Sequence, residues 1–183
     1  MSNTDEKIVM VDDGTKEVPE DMYICEERWS AERPHTLVIA CSDGRLQTSI
    51  DRFLFHHLGI ENYDRLYAPG GPGAMASGGF EYMRADVFRQ QFLFLLLAHE
   101  TEQVIFIAHG AADDSTKAPV CAHYHRIMPR ATAAEIKQKQ REDVATIIKD
   151  AGPALLHVKV RAYRAEVMED LRIQYVDIAP SLE

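Results

Sequence analysis

Two short apolar runs constrain this chain most: Thr36-Leu37-Val38-Ile39-Ala40-Cys41 and Gln103-Val104-Ile105-Phe106-Ile107-Ala108-His109. Neither alternates between apolar and polar positions. Runs of this length predict strands buried on both faces, the habit of parallel sheets with helices packed above and below. The segments around them fit that arrangement. Leu46 to Leu58 carries Ile50, Phe53, Leu54 and His57 at helical spacing and stops at Gly59. Asp64 to Ala68 predicts a second strand, Pro69 to Gly79 a small-residue loop, and Phe80 to His99 a long helix. The end of that helix, Phe92 to Ala98, is apolar all round, so it is expected to be buried or to lie in a subunit interface. Beyond His109 come a polar insert from Gly110 to Val120 and a charged amphipathic helix from Ala131 to Asp150. Two further strands are expected, over Ala154 to Tyr163 and Arg172 to Ile178. Strands alternating with helices predict an α/β fold with a mostly parallel central sheet flanked by helices.

The first 33 residues or so read differently: they are acidic and weakly patterned, and a short helix from Pro19 through Trp29 is the one element expected there. The organisation expected is an arm or surface helix over 1–33 and a single α/β domain over 34–183. A length of 183 residues suits one domain with a real core. The formal net charge of −9 repels phosphate backbones and argues against nucleic acid as a partner. Phe92 to Ala98 is too short to cross a bilayer, which argues against a membrane. Asp5, Glu6, Asp12 and Asp13 stand where a secretory signal would place basic residues, so a cytoplasmic location is expected. Three cysteines, Cys25, Cys41 and Cys121, cannot all pair within one chain. In a reducing compartment their thiols are available for metal or chemistry.

Each of the two apolar runs ends in a side chain able to bind metal, Cys41 in one and His109 in the other. Ligands of open parallel sheets gather outside the carboxyl ends of the strands, so the thiol and the imidazole are expected on the same edge. Together they form a natural zinc pair. Taken alone, each has a plainer reading, as a small buried residue or an ordinary strand-end histidine. Their neighbours shift the balance. Cys41-Ser42-Asp43-Gly44-Arg45 sets a carboxylate two residues, and a guanidinium four residues, after the thiol. A tight turn there lets Asp43 reach either a metal or Arg45, and pairing with Arg45 keeps the carboxylate ionised and aimed. The small-residue loop has no well-formed nucleotide-binding glycine pattern. It more simply lets the backbone pass close to a small site.

The run Cys41 to Arg45 resembles the Cys-x-Asp-x-Arg motif of the β-class carbonic anhydrases. Ala68-Pro69-Gly70-Gly71 is similar to that family's small-residue segment after its second strand, and Val104 to His109 to the strand that delivers its zinc-binding histidine. The resemblance covers roughly residues 35 to 165. It implies a β-carbonic-anhydrase-like fold and a zinc ion held by two cysteines and a histidine. The implied reaction is reversible hydration of carbon dioxide to bicarbonate, with Asp43 orienting the attacking hydroxide and Arg45 holding Asp43 off the metal. It also implies a homodimer or higher homo-oligomer. One departure stands out: the family's second cysteine is expected at three residues after the histidine, where this chain has Ala112. Cys121-Ala122-His123-Tyr124 looks like the family's Cys-Gly-x-Tyr stretch displaced beyond the insert, which makes Cys121 the expected third ligand. Asp113, Asp114 and His123 are weaker candidates for that role. Among proton carriers, His56, His57, His123 and His125 come into consideration, each with a packing or surface role as the plainer reading. The rival reading is a degenerate carbonic-anhydrase-like subunit with an incomplete metal site, kept for binding or assembly.

Overall fold

The computed structural model describes residues 9–10, 17–18, 22–78, 81–115 and 121–180. The chain divides into two compact units, Met1–Arg33 and Pro34–Glu183. In the first, β1 (Val9–Met10) pairs antiparallel with β2 (Glu17–Val18). Residues 22–33 form neither helix nor strand, so the helix expected through Trp29 is not formed over them; Pro19 to Asp21 lie outside the described residues. A helix of that length without an apolar face to pack is marginal in water.

The second unit is built on a five-stranded sheet in the order β4-β3-β5-β6-β7. Its strands are β3 (Thr36–Ala40), β4 (Asp64–Tyr67), β5 (Gln103–Ala111), β6 (Lys159–Val167) and β7 (Ile173–Asp177). β4, β3, β5 and β6 run parallel, and β7 closes one edge antiparallel to β6. This is the mostly parallel α/β architecture expected. The apolar runs hold the centre: Leu37 to Ala40 and Val104 to Ala108 are all buried.

The two-residue period of the strands divides the core between two faces. Leu37, Ile39, Val104, Phe106 and Ala108 point to one side, where Phe88, Phe92 and Leu96 of α3 (Tyr82–Ala98) and Val144 and Ile147 of α5 (Ala133–Ala151) cover them. Val38, Ala40, Ile105 and Ile107 point to the other, against Leu46, Ile50 and Leu54. Ile50 belongs to α1 (Gln47–Arg52), which passes into a π-helical turn over Phe53–His57, so the expected helix from Leu46 to Leu58 forms in two parts. Thr132 caps α5 in a reciprocal capping box: its hydroxyl accepts from the Glu135 N–H while the Glu135 carboxylate accepts from the Thr132 N–H.

Three expectations need correcting. The stretch Pro69 to Gly79 is not all loop, because Pro72–Ala76 forms a short helix, α2, with proline at its start. β5 does not stop at His109; Gly110 and Ala111 continue it in register with Glu166 and Val167 of β6, so the insert leaves the sheet two residues later. The strand expected from Ala154 begins only at Lys159, since Gly152–Leu155 is a 3₁₀ turn, and it runs on to Val167. Within Phe92 to Ala98, only Phe92 and Leu96 are buried, while Phe94 is 65% and Leu97 75% exposed. The segment is thus buried along one stripe, with Leu95 partly covered, while Phe94 and Leu97 face outward.

Candidate metal centre

Cys41 follows the last residue of β3, and His109 lies near the end of the neighbouring parallel strand β5, so the register of the two strands brings both to one sheet edge. Cys121 arrives from elsewhere. It is the residue before α4 (Ala122–Ile127), a helix that the sequence reading did not anticipate. Ligand atoms of Cys41, His109 and Cys121 all lie within 4.8 Å of one another, and all three residues are buried. Among the described residues this is a group able to hold a metal ion. Of the other residues considered for it, Asp114 accepts the Ala133 N–H at 2.6 Å and Asp113 accepts the Ser115 N–H at 2.9 Å. His123 is outside the trio; its Nε2 is 3.4 Å from the Ser77 hydroxyl. His56 and His57 on the π turn and His125 on α4 are exposed.

Two features fit a metal. The Nε2 atom of His109 is buried without a hydrogen-bond partner, an arrangement that is costly unless something coordinates it. Two thiols and an imidazole are also a donor set that suits zinc. Hydrogen bonding with Cys121 outweighs burial to pull the Cys41 pKa down, with His109 and a backbone N–H helping, while the same bond and burial push Cys121 up.

The glycine loop explains how the backbone gets so close. The Gly70 N–H donates to Cys41 Sγ at 3.4 Å. Gly70 and Gly71 both have positive φ, 97° and 53°. A Cβ on Gly71 would stand 2.8 Å from the Cys41 nitrogen, and one on Gly70 would stand 2.7 Å from Cγ of His123. Only glycine satisfies both the dihedral angle and the space.

Beside the trio, Arg45 grips Asp43 with both arms, Nε to Oδ1 at 2.8 Å and a terminal nitrogen to Oδ2 at 2.5 Å. The Arg45 N–H also donates to Oδ1 at 3.1 Å, and the Leu46 N–H donates to the Asp43 carbonyl at 3.0 Å, which makes the segment a tight turn. The guanidinium holds the Asp43 pKa down at about 2, so the carboxylate is ionised throughout the neutral range. Asp43, Arg45 and His109 line one cavity of about 200 Å³ together with Leu46, Val167, Leu171 and Ile173. One wall is therefore charged and the other aliphatic.

A buried polar network holds β5 where it carries His109. The Gln140 amide of α5 donates to the His109 carbonyl at 2.9 Å. Arg164 of β6, 1% exposed, donates to Gln140 at 2.7 Å, to Glu166 at 2.7 Å and to the Ala111 carbonyl at 2.9 Å. Glu166 also receives Lys137 at 2.8 Å and Gln174 at 2.9 Å. A Cβ on Gly110 would meet an Arg164 nitrogen at 2.5 Å, so the strand needs glycine there for the guanidinium to pass. Cys121 is held through its own neighbour: Tyr124 donates to Asp143 of α5 at 2.6 Å. Gln140, Arg164 and Glu166 were missed in the sequence; the one signal was Arg164 and Glu166, two charges on a strand face that otherwise carries Val160 and Ala162.

No family model and no curated protein matches the chain. Among solved structures it is similar to a carbonic anhydrase from Glaciozyma antarctica, at 19% identity and a TM-score of 0.46, covering 79% of this chain and 82% of that one. It is similar to the β-carbonic anhydrase CafA of the fungal pathogen Aspergillus fumigatus at 13% identity and a TM-score of 0.45, covering 81% of this chain and 78% of that one. It is similar also to β-carbonic anhydrase isoform I from the protozoan Trichomonas vaginalis at 11% identity and a TM-score of 0.40, covering 86% and 88%.

Proposed function

We propose that this chain is a zinc-dependent lyase that interconverts carbon dioxide and bicarbonate, with the metal held by Cys41, His109 and Cys121. The observation that carries the reading is the convergence of those three ligand atoms within 4.8 Å. The Asp43–Arg45 pair supports it from the wall of the adjoining cavity. Zinc in such a trio supplies a water nucleophile at neutral pH by lowering its pKa from about 16 to about 7.

The chain's own residues do the rest. Asp43 accepts a hydrogen bond from the attacking water and so aims its lone pair; with its pKa down at about 2 it is a hydrogen-bond acceptor rather than a proton store. Arg45 occupies both Asp43 oxygens and keeps the carboxylate off the ligand trio. Leu46, Val167, Leu171 and Ile173 offer an uncharged wall that suits neutral carbon dioxide and excludes water from its side of the cavity. The Gly70 N–H draws off part of the Cys41 charge.

Cytoplasmic location remains part of the proposal, and it is in keeping with the three free cysteines. So does a homodimer or higher homo-oligomer, in keeping with the exposed Phe94 and Leu97 of α3. Among the described residues no helix is long and apolar enough to cross a membrane.

The test combines metal analysis with a carbon dioxide hydration assay on protein expressed in zinc-supplemented medium. About one zinc per chain is expected, as for a single site, with hydration that disappears when the metal is chelated. Folded protein that is metal-free and inactive after such expression would favour the degenerate binding or assembly subunit instead.

A further inference from the structure

The loop between β6 and β7 is a three-residue hairpin connection whose sequence does not match its geometry. The Leu171 N–H bonds to the Met168 carbonyl at 2.9 Å, and the Met168 N–H to the Arg172 carbonyl at 2.9 Å. That is a tight turn followed by one residue in the left-handed conformation, the place where such hairpins use glycine. Here the residue is Leu171, with φ of 64°. The Cβ of an L-residue clashes with its own backbone in this region, and a branched apolar side chain does nothing to relieve the clash. Nor does burial compensate, since Leu171 is 72% exposed. Leu171 nevertheless lines the cavity that Asp43, Arg45 and His109 also line. A strained backbone held at the mouth of a reactive cavity points to a use for the side chain that holds it there.

We infer that Leu171 is a specificity-determining residue: its side chain forms the apolar lip of the cavity beside the metal centre and favours small, weakly hydrated reactants over strongly hydrated ones. Val167 and Ile173, flanking it on β6 and β7, continue the lip inward. The inference rests on the carbon dioxide reading above. In that reading the lip contacts the reactant equally before and during reaction, so its loss raises KM more than it lowers kcat.

The test compares wild type with Leu171→Gly, Leu171→Asn and Leu171→Ala, each loaded with cobalt in place of zinc and titrated with thiocyanate, a linear and weakly hydrated anion, while the visible spectrum is followed. Glycine and asparagine both tolerate the left-handed backbone, whereas alanine removes the side chain and keeps the strain. In Leu171→Gly the melting temperature is expected to rise by about 2 °C or more. Thiocyanate affinity should fall roughly three- to tenfold and KM for carbon dioxide should rise in step, with cobalt content unchanged. Leu171→Asn should follow it, and Leu171→Ala should lose affinity without gaining stability. Cobalt-loaded Leu171→Gly that binds thiocyanate as tightly as wild type, with the same KM, overturns the inference and leaves the metal reading standing. Wild-type protein that takes up no cobalt overturns the metal reading, and this one with it.

Discussion

At Asp43 a carboxylate stands next to a cluster of metal-binding atoms, where it has two possible partners, a cation in the cluster or Arg45. The bidentate geometry favours Arg45, and two matched N–H···O bonds hold orientation better than a single point contact. Asp43→Asn keeps the size and loses the charge, so zinc content is expected to stay near one per chain while carbon dioxide hydration falls on the order of a hundredfold. Arg45→Ala frees the carboxylate to turn towards the metal, and activity is expected to fall most at low pH. Stopped-flow hydration assays across pH, run with metal analysis of the same samples, check both; unchanged hydration in both variants would remove the pair from the reaction.

Among the secondary-structure elements, the decisive one is the end of β5. Its last carbonyls, at His109 and Ala111, are taken by Gln140 and Arg164 from two different elements, so α5 and β6 jointly set where His109 stands. Burial disfavours the Glu166 carboxylate, but Lys137, Gln174 and Arg164 more than offset this and leave its pKa below the ordinary range. A carboxyl group with a lowered folded-state pKa stabilises the fold above its unfolded value, near 4.3, and that contribution disappears as the pH falls through the folded value. Glu166→Gln leaves the Arg164 charge buried with its partner gone. The variant is expected to be less stable by about 3 kcal/mol at pH 7, with the gap to wild type narrowing below about pH 4. Urea unfolding at a series of pH values measures both; a pH-independent gap would mean that Glu166 acts through packing rather than charge.

Taken whole, the second unit ties the start of α4 to a sheet edge through a trio of side chains from three separate segments. A ligand that binds only the folded chain stabilises it by mass action, about 4 kcal/mol at a thousand times its dissociation constant. For a chain of this size that corresponds to roughly 8–16 °C in melting temperature. Chelation is therefore expected to lower the melting temperature by about this amount, and Cys121→Ser to start near the chelated value. Cys25→Ser, which changes an exposed thiol bonded to Glu27, should keep the full metal-dependent increment. Calorimetry with and without chelator tests this, and a melting temperature indifferent to chelation in wild type would mean that the trio holds no metal.

Local pattern alone was enough for the two central strands. Uninterrupted apolar runs at Leu37 to Ala40 and Val104 to Ala108 have no stable home except between two layers of helix, and their ends at Cys41 and His109 put the thiol and the imidazole on one edge. The Asp43–Arg45 pair was legible for the same reason, since it closes within a single turn. What the sequence could not decide depends on contacts between distant segments. No local signal marks α4, because a helix of six residues is stabilised by what Tyr124 reaches on α5 rather than by its own propensity. The Arg164–Gln140–Glu166 network joins α5 and β6, and it becomes visible only when the sheet sets their side chains face to face. The left-handed Leu171 breaks a rule that sequence reasoning relies on, and it does so beside the cavity, where only the assembled fold shows what its side chain faces. Periodicity and turn chemistry act over a few residues and are written in their order along the chain; the partners of a buried charge, or the wall of a cavity, are set by distances that exist only after folding.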